Sequence, residues 1–103
     1  MAQFAVERGG TFIDREVHGS MAVDWDVPIA MSDGLVLRAN VYRPVAPGKY
    51  PVIMSHGPYG KDLHFEDGYK SAWDITAKRG PSAFTNTSGR YLSWEVVDPE
   101  KWV

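Results

Sequence analysis

The chain has 103 residues, of which 44% are hydrophobic and 13% aromatic, and its formal net charge is −2 at pH 7. A chain of this length forms one domain at most, with a workable hydrophobic core. Acidic and basic residues are mixed throughout, so no basic stripe is available for phosphates or anionic lipids. The composition is that of a globular chain and not of a disordered one, and it predicts neither a nucleic-acid partner nor a membrane partner.

The absence of cysteine limits both the chemistry and the compartment. It excludes a disulfide framework, a thiolate zinc site and a cysteine nucleophile, and it fits a reducing environment. Glu7 and Arg8 interrupt the apolar run that a signal peptide needs, and no segment approaches the roughly 18 apolar residues of a membrane-spanning helix. We therefore expect a cytoplasmic protein.

The first clear secondary-structure pattern is a hairpin. Residues 1–20 carry scattered charge and are predicted to be an N-terminal arm with one short strand. From Met21 to Met31 apolar residues alternate with polar ones, and the alternation resumes from Leu35 to Val41 after the turn signal Ser32-Asp33-Gly34. This pattern predicts an antiparallel hairpin over residues 21–43, at one edge of a sheet.

A different kind of strand is expected in "VIMSHGPYGKD", residues 52–62. Its first residues, Val52 to Met54, are apolar without polar alternation. Such a run is typical of a strand covered on both faces, as in a parallel sheet flanked by helices. Strands of this kind tend to present functional residues at their C-terminal ends.

Two helical signals follow. A helix is predicted from about Gly68 to Lys78, where Tyr69, Trp73 and Ala77 share a face at a spacing of four. Asp98-Pro99-Glu100 is typical of a helix start, with a carboxylate N-cap, a proline at the first position and an acid in the first turn. Because a helix of about one turn is marginal on its own, the chain is expected to be the front part of a larger domain.

The candidate catalytic residue is Tyr59, which follows the predicted buried strand. Gly57 and Gly60 permit a sharp turn, whereas Pro58 removes one backbone N–H and so disfavours an anion site built from amides alone. A tyrosine phenol is a neutral donor at pH 7. A positioned neutral donor suits an oxyanion hole, where charge develops on a carbonyl oxygen. The alternative is a half-buried tyrosine whose hydroxyl merely finds a partner.

No nucleophile can be assigned to accompany this donor. The sequence contains no G-x-S-x-G motif, the elbow on which many serine nucleophiles lie. Ser55 and His56 are adjacent, and adjacent side chains of an extended strand point to opposite faces. They are therefore not expected to form a catalytic dyad.

A metal site is also not expected. The candidate ligands are His56, His64, Glu66 and Asp67. Their spacing fits no helix-based histidine pair, so we interpret them as solvated loop residues.

Four aromatic residues of the second half have two possible roles. They are Trp73, Phe84, Trp94 and Trp102. Together they could wall an apolar acyl pocket, but for each residue taken separately the sequence favours ordinary core. The sequence leaves both interpretations open.

Three segments in this order and spacing carry a resemblance to a known family: "VPIAMSDGLVLRANVYRP", "YPVIMSHGPYGKD" and "YLSWEVVDPEKWV". They resemble the N-terminal part of the CocE/NonD serine hydrolases, which include cocaine esterase and the X-prolyl dipeptidyl peptidases. The resemblance implies an α/β fold in which residues 21–103 are the N-terminal part of an α/β-hydrolase domain. It also implies that Tyr59, within Pro58-Tyr59-Gly60-Lys61, lines the oxyanion hole.

By this resemblance the chain belongs to an enzyme that cleaves small ester, amide or peptide substrates through an acyl-enzyme, without a cofactor. The family's serine elbow, aspartate, histidine and C-terminal jelly-roll domain match no residue of this sequence, so the chain alone is expected to be inactive. The alternative function is a non-catalytic, β-rich binding module. In either case the unpaired apolar strand predicts self-association of the chain.

Overall fold

The computed structural model describes residues 3–6 and 12–103, with side chains from Asp14 onward. Glu7 and Arg8, on which the argument about a signal peptide rests, lie outside the described residues. The described residues up to Tyr50 form one compact unit, and Pro51–Trp102 form a second.

The first unit is an antiparallel meander of four strands in the order β1-β2-β3-β4. Their bounds are β1 Gln3–Val6, β2 Phe12–His18, β3 Met21–Ala30 and β4 Val36–Pro44. The predicted hairpin is present as β3 and β4, in which Val27 lies opposite Ala39. The expected arm differs from the structure, because residues 3–6 and 12–18 are strands of the same sheet.

Local sequence explains the two tight connections. Gly19 has a φ of +61° in the turn between His18 and Met21, and Gly34 has a φ of +89° between β3 and β4. Both values lie in the left-handed region, which favours glycine. Asp33 completes the second turn, because its Oδ1 accepts the N–H of Leu35 at 3.0 Å.

The hairpin contains a bulge. Asp24 lies opposite Val41 and Val27 opposite Ala39, so two residues of β3 face the single residue Asn40. Asp26 takes up the extra length with a φ of +54°, and its N–H donates to Asn40 Oδ1 at 3.1 Å. Such bulges bend a strand and increase its twist.

The core of the first unit lies at the start of β3. Met21, Ala22 and Val23 are buried there, and Val23 has no exposed surface. Asp24 is also buried and is held by Arg15 and Arg43. Burial alone would raise the pKa of Asp24, but hydrogen bonds and charge from Arg15, then from Arg43, outweigh it and hold the pKa below its ordinary value of 3.8.

The second unit is built from short helices and loops. Its helices are α1 Phe65–Gly68, α2 Lys70–Arg79, a 3-10 helix Pro81–Phe84 and α3 Pro99–Trp102. The helix predicted from Gly68 to Lys78 corresponds to α2. The helix start at residues 98–100 is confirmed, since Asp98 Oδ1 accepts the N–H of Glu100 at 3.1 Å.

The predicted fold class, an N-terminal portion of an α/β-hydrolase, is wrong for this structure. Val52, Ile53 and Met54 are not a buried strand: they form no strand in the described chain and are 88%, 56% and 84% exposed. A strand of the parallel type needs a neighbour on each side to satisfy its backbone. No described residue pairs with this segment, so the protein is a small antiparallel sheet with a separate set of short helices.

Candidate functional site around Tyr59 and an aromatic groove

Tyr59 lies in a turn that follows the exposed apolar segment. Gly60, directly after it, has a φ of +84°, which places glycine where another residue would be strained. The turn closes with a hydrogen bond from the N–H of Leu63 to the carbonyl of Gly60 at 3.2 Å. Lys61 and Asp62 form an exposed ion pair of 2.8 Å beside it. The chain therefore bends at Pro58 and Tyr59, and the hydrogen-bonded turn from Gly60 to Leu63 follows directly.

The phenol ring of Tyr59 is fixed by another tyrosine while its hydroxyl stays available. Tyr69 meets the ring edge to face, with centroids 6.0 Å apart, a favourable aromatic geometry. Tyr59 is 39% exposed. Its hydroxyl has no hydrogen-bond partner among the described side chains and backbone groups. The ring is thus positioned and the donor is free to reach a ligand.

Five half-buried rings of the second unit contact one another, and we call them the ring cluster: Phe65, Tyr69, Trp73, Phe84 and Trp94. Tyr69 stacks on Trp94 at 5.3 Å, and Trp94 contacts Phe65 at 5.2 Å. Trp73 lies 5.3 Å from Phe65 and 4.4 Å from Phe84. The cluster therefore connects the ring that holds Tyr59 to the rest of the unit.

One side of the ring cluster borders an open groove of about 380 Å³. Three of the four aromatic residues singled out in the sequence line it, namely Phe84, Trp94 and Trp102. Trp73 does not line the groove; it is half-buried and packs against Phe65 and Phe84. The groove therefore includes three of the four residues, and their role as the wall of an acyl pocket stays a prediction.

The histidines and acids with side chains of the metal-binding type have other positions. His64 caps α1: its Nδ1 accepts the N–H of Glu66 at 3.1 Å, and its Nε2 donates to the carbonyl of Gly89 at 2.7 Å. His56 and Asp67 are exposed. Within residues 3–6 and 12–103, no group of three or more potential ligands that could hold a metal is found.

Sequence reasoning missed three residues of this region. Phe65 lies four residues before Tyr69 and eight before Trp73, so the helical spacing that identified the other two also includes it. Glu95 and Asp98 line the groove. Asp98 was identified only as a helix cap, and no local pattern points to Glu95.

Comparison of the chain with protein-family models, with curated proteins and with solved structures finds no match. Within the described part of the chain, none of the helices has the length and apolar character needed to cross a membrane.

Proposed function

We propose that this chain contributes the oxyanion-stabilising tyrosine of a serine hydrolase that cleaves ester or amide bonds through an acyl-enzyme. The observation that carries the proposal is the setting of Tyr59, whose ring is held against Tyr69 while its hydroxyl has no partner in the described residues. The resemblance of Pro58-Tyr59-Gly60-Lys61 to the CocE/NonD motif supports the same role. This role depends on the hydroxyl of Tyr59 and does not require the sheet of an α/β-hydrolase.

In this reaction a serine oxygen attacks the carbonyl carbon, and negative charge develops on the carbonyl oxygen. The O–H of Tyr59 donates a hydrogen bond to that oxygen, which is more basic in the transition state than in the substrate. The sequence has no G-x-S-x-G elbow, so this proposal assigns the serine and its base to no residue of the chain. The absence of cysteine supports a reducing compartment such as the cytoplasm as the site of action.

The test uses the full-length product of the reading frame that contains these residues, assayed with p-nitrophenyl esters. Tyr59→Phe keeps the ring and its contact with Tyr69 but removes the donor. We expect kcat to fall by about 10² to 10³, the usual cost of losing one oxyanion donor. KM should change less, because the ground-state carbonyl carries little charge.

The matched control is Tyr50→Phe, which removes a hydroxyl that donates to the carbonyl of Ala46 at 2.8 Å in the first unit. It should leave kcat unchanged. Wild-type turnover by Tyr59→Phe would overturn the proposal.

The second candidate is a non-catalytic binding module, which the open aromatic groove favours. The two candidates differ in whether an activated serine is present. A fluorophosphonate reagent labels an activated serine covalently. Labelling and ester hydrolysis by the full-length product support the hydrolase, whereas the absence of both supports the binding module.

A further inference from the structure

The groove of the second unit combines aromatic rings with carboxylates, a combination unlike that of an ordinary apolar core. Its aromatic lining is Phe65, Phe84, Trp94 and Trp102. Two carboxylates, Glu95 and Asp98, also line it, against a single lysine, Lys101. The Lys101 ammonium is already bound, since its Nζ donates to the carbonyls of Ser82 and Ala83 at 3.2 Å each. The lining therefore carries a net negative charge.

Asp98 is the first independent indication that the groove binds a ligand. It is more than nine-tenths buried, with an exposure of 8%. One carboxylate oxygen, Oδ1, caps α3 by accepting the N–H of Glu100. The other, Oδ2, is buried without a hydrogen-bond partner in the described chain. A buried charge is poorly screened by water, so it attracts a cation across the groove without direct contact.

Glu95 is the second indication. It has a φ of +56°, which is unusual for a residue other than glycine. Glu95 is exposed, and its carboxylate has no hydrogen bond or ion pair among the described residues. The strained residue thus presents a free carboxylate beside Trp94.

From these observations we propose that the groove binds a small organic cation of the alkylammonium class. Aromatic rings attract such cations through their quadrupoles, and the attraction increases when the site is partly desolvated. Glu95 supplies a direct counter-charge and Asp98 a buried one. A volume of about 380 Å³ lies at the small end of ligand sites and suits a compact ligand. This inference does not depend on Tyr59 or on any hydrolase activity.

The test compares choline with its neutral isostere 3,3-dimethylbutan-1-ol, using the indole N–H signals of the 103-residue chain in ¹H-¹⁵N NMR spectra. Choline should shift the Trp94 and Trp102 signals in a saturable way, and the isostere should bind more weakly. The internal control is Trp25, which lies in the first unit and packs against Tyr42. Its signal should not move.

Two substitutions test the carboxylates. Glu95→Gln should weaken choline binding about two- to fivefold, the range expected for an exposed ion pair. Asp98→Asn keeps a capping oxygen and removes the charge, and it should also weaken binding. The matched control is Asp67→Asn, since Asp67 is an exposed carboxylate of the same unit that does not line the groove. It should leave affinity unchanged.

Three outcomes would overturn the proposal. Equal affinity for choline and its isostere would overturn the proposal, because the groove would then be only apolar. Wild-type affinity in Glu95→Gln would also overturn it, and so would an equal shift of the Trp25 signal. If Asp98→Asn fails to fold, Glu95→Gln still decides, because Glu95 is exposed and its side chain is not part of the core.

Discussion

Arg15 and Asp24 form a two-armed ion pair across β2 and β3. Arg15 Nε donates to Asp24 Oδ1, and Arg15 Nη2 donates to Asp24 Oδ2 at 3.0 Å. The two residues lie directly opposite each other in the register of the strands. Arg43 of β4 donates to the same Oδ2 at 3.3 Å, so one buried carboxylate connects three adjacent strands.

The first prediction is that Asp24→Asn destabilises the sheet. The substitution removes the charge that two guanidinium groups share, and the expected loss is about 1 to 3 kcal/mol in the free energy of unfolding. Urea denaturation followed by tryptophan fluorescence measures this loss. Asp74→Asn is the control, because Asp74 pairs with Lys70 on an exposed helix surface, where water and salt screen the ion pair and its loss should cost much less. Equal effects in the two variants would contradict the structural role of Asp24.

A second prediction concerns pH. The pKa of Asp24 is lowered in the folded state from its ordinary value of 3.8. The ionised form therefore stabilises the fold above the ordinary pKa, and this stabilisation is lost as the pH falls through the lowered pKa. The difference in unfolding free energy between wild type and Asp24→Asn should be constant near neutral pH and should shrink below about pH 4. A difference that grows on acidification would contradict the assigned direction of the shift.

The Arg15–Asp24 pair also shows what hydrophobic patterning cannot reveal. Period-two alternation predicted the hairpin because alternating apolar and polar residues are typical of a strand with two different faces. In β2 the residues that hold the strand in the sheet include Arg15, whose contact is a charge pair with a residue nine positions away. No local pattern marks such a partner, so the sequence alone predicts an arm at these residues.

The segment Val52 to Met54 shows a second limit of prediction from the sequence. Its apolar, β-branched composition indicates the environment that these residues would favour, namely burial on both faces. The composition of one segment does not determine whether neighbouring strands are present to bury it. The turn at Tyr59 and the cap at Asp98 were predictable because each depends on residues adjacent in sequence. The groove was not predictable in this way, because its lining residues extend along the sequence from Phe65 to Trp102.

A third prediction follows from the exposure of this segment. Val52→Ser combined with Met54→Gln should change the unfolding free energy of the 103-residue chain by no more than about 0.5 kcal/mol, as is usual at exposed sites. The double variant should also bind less of a hydrophobic dye and self-associate less, because an apolar surface is removed. Val23→Ala provides the contrast. Val23 is fully buried, and its truncation should cost about 2 kcal/mol.

A loss of about 2 kcal/mol in the double variant would mean that Val52 and Met54 are buried in solution. Sedimentation velocity and dye fluorescence, measured on the same samples, separate self-association from surface exposure. A wild-type chain that stays monomeric and binds no dye would contradict the expected self-association.

The last prediction concerns the start of α3. Asp98 accepts the N–H of Glu100, and the Glu100 carboxylate in turn accepts from the hydroxyls of Thr87 and Ser88 at 2.9 and 2.7 Å. The cap therefore positions a residue that ties α3 to the preceding loop. Asp98→Ala should cost about 0.5 to 2 kcal/mol in unfolding free energy, whereas Asp98→Asn, which can still cap, should cost much less. Hydrogen exchange of the Glu100 amide gives a local readout, and it should accelerate in Asp98→Ala but not in Asp98→Asn. Equal exchange rates in the two variants would show that a side-chain oxygen at position 98 does not hold the helix start.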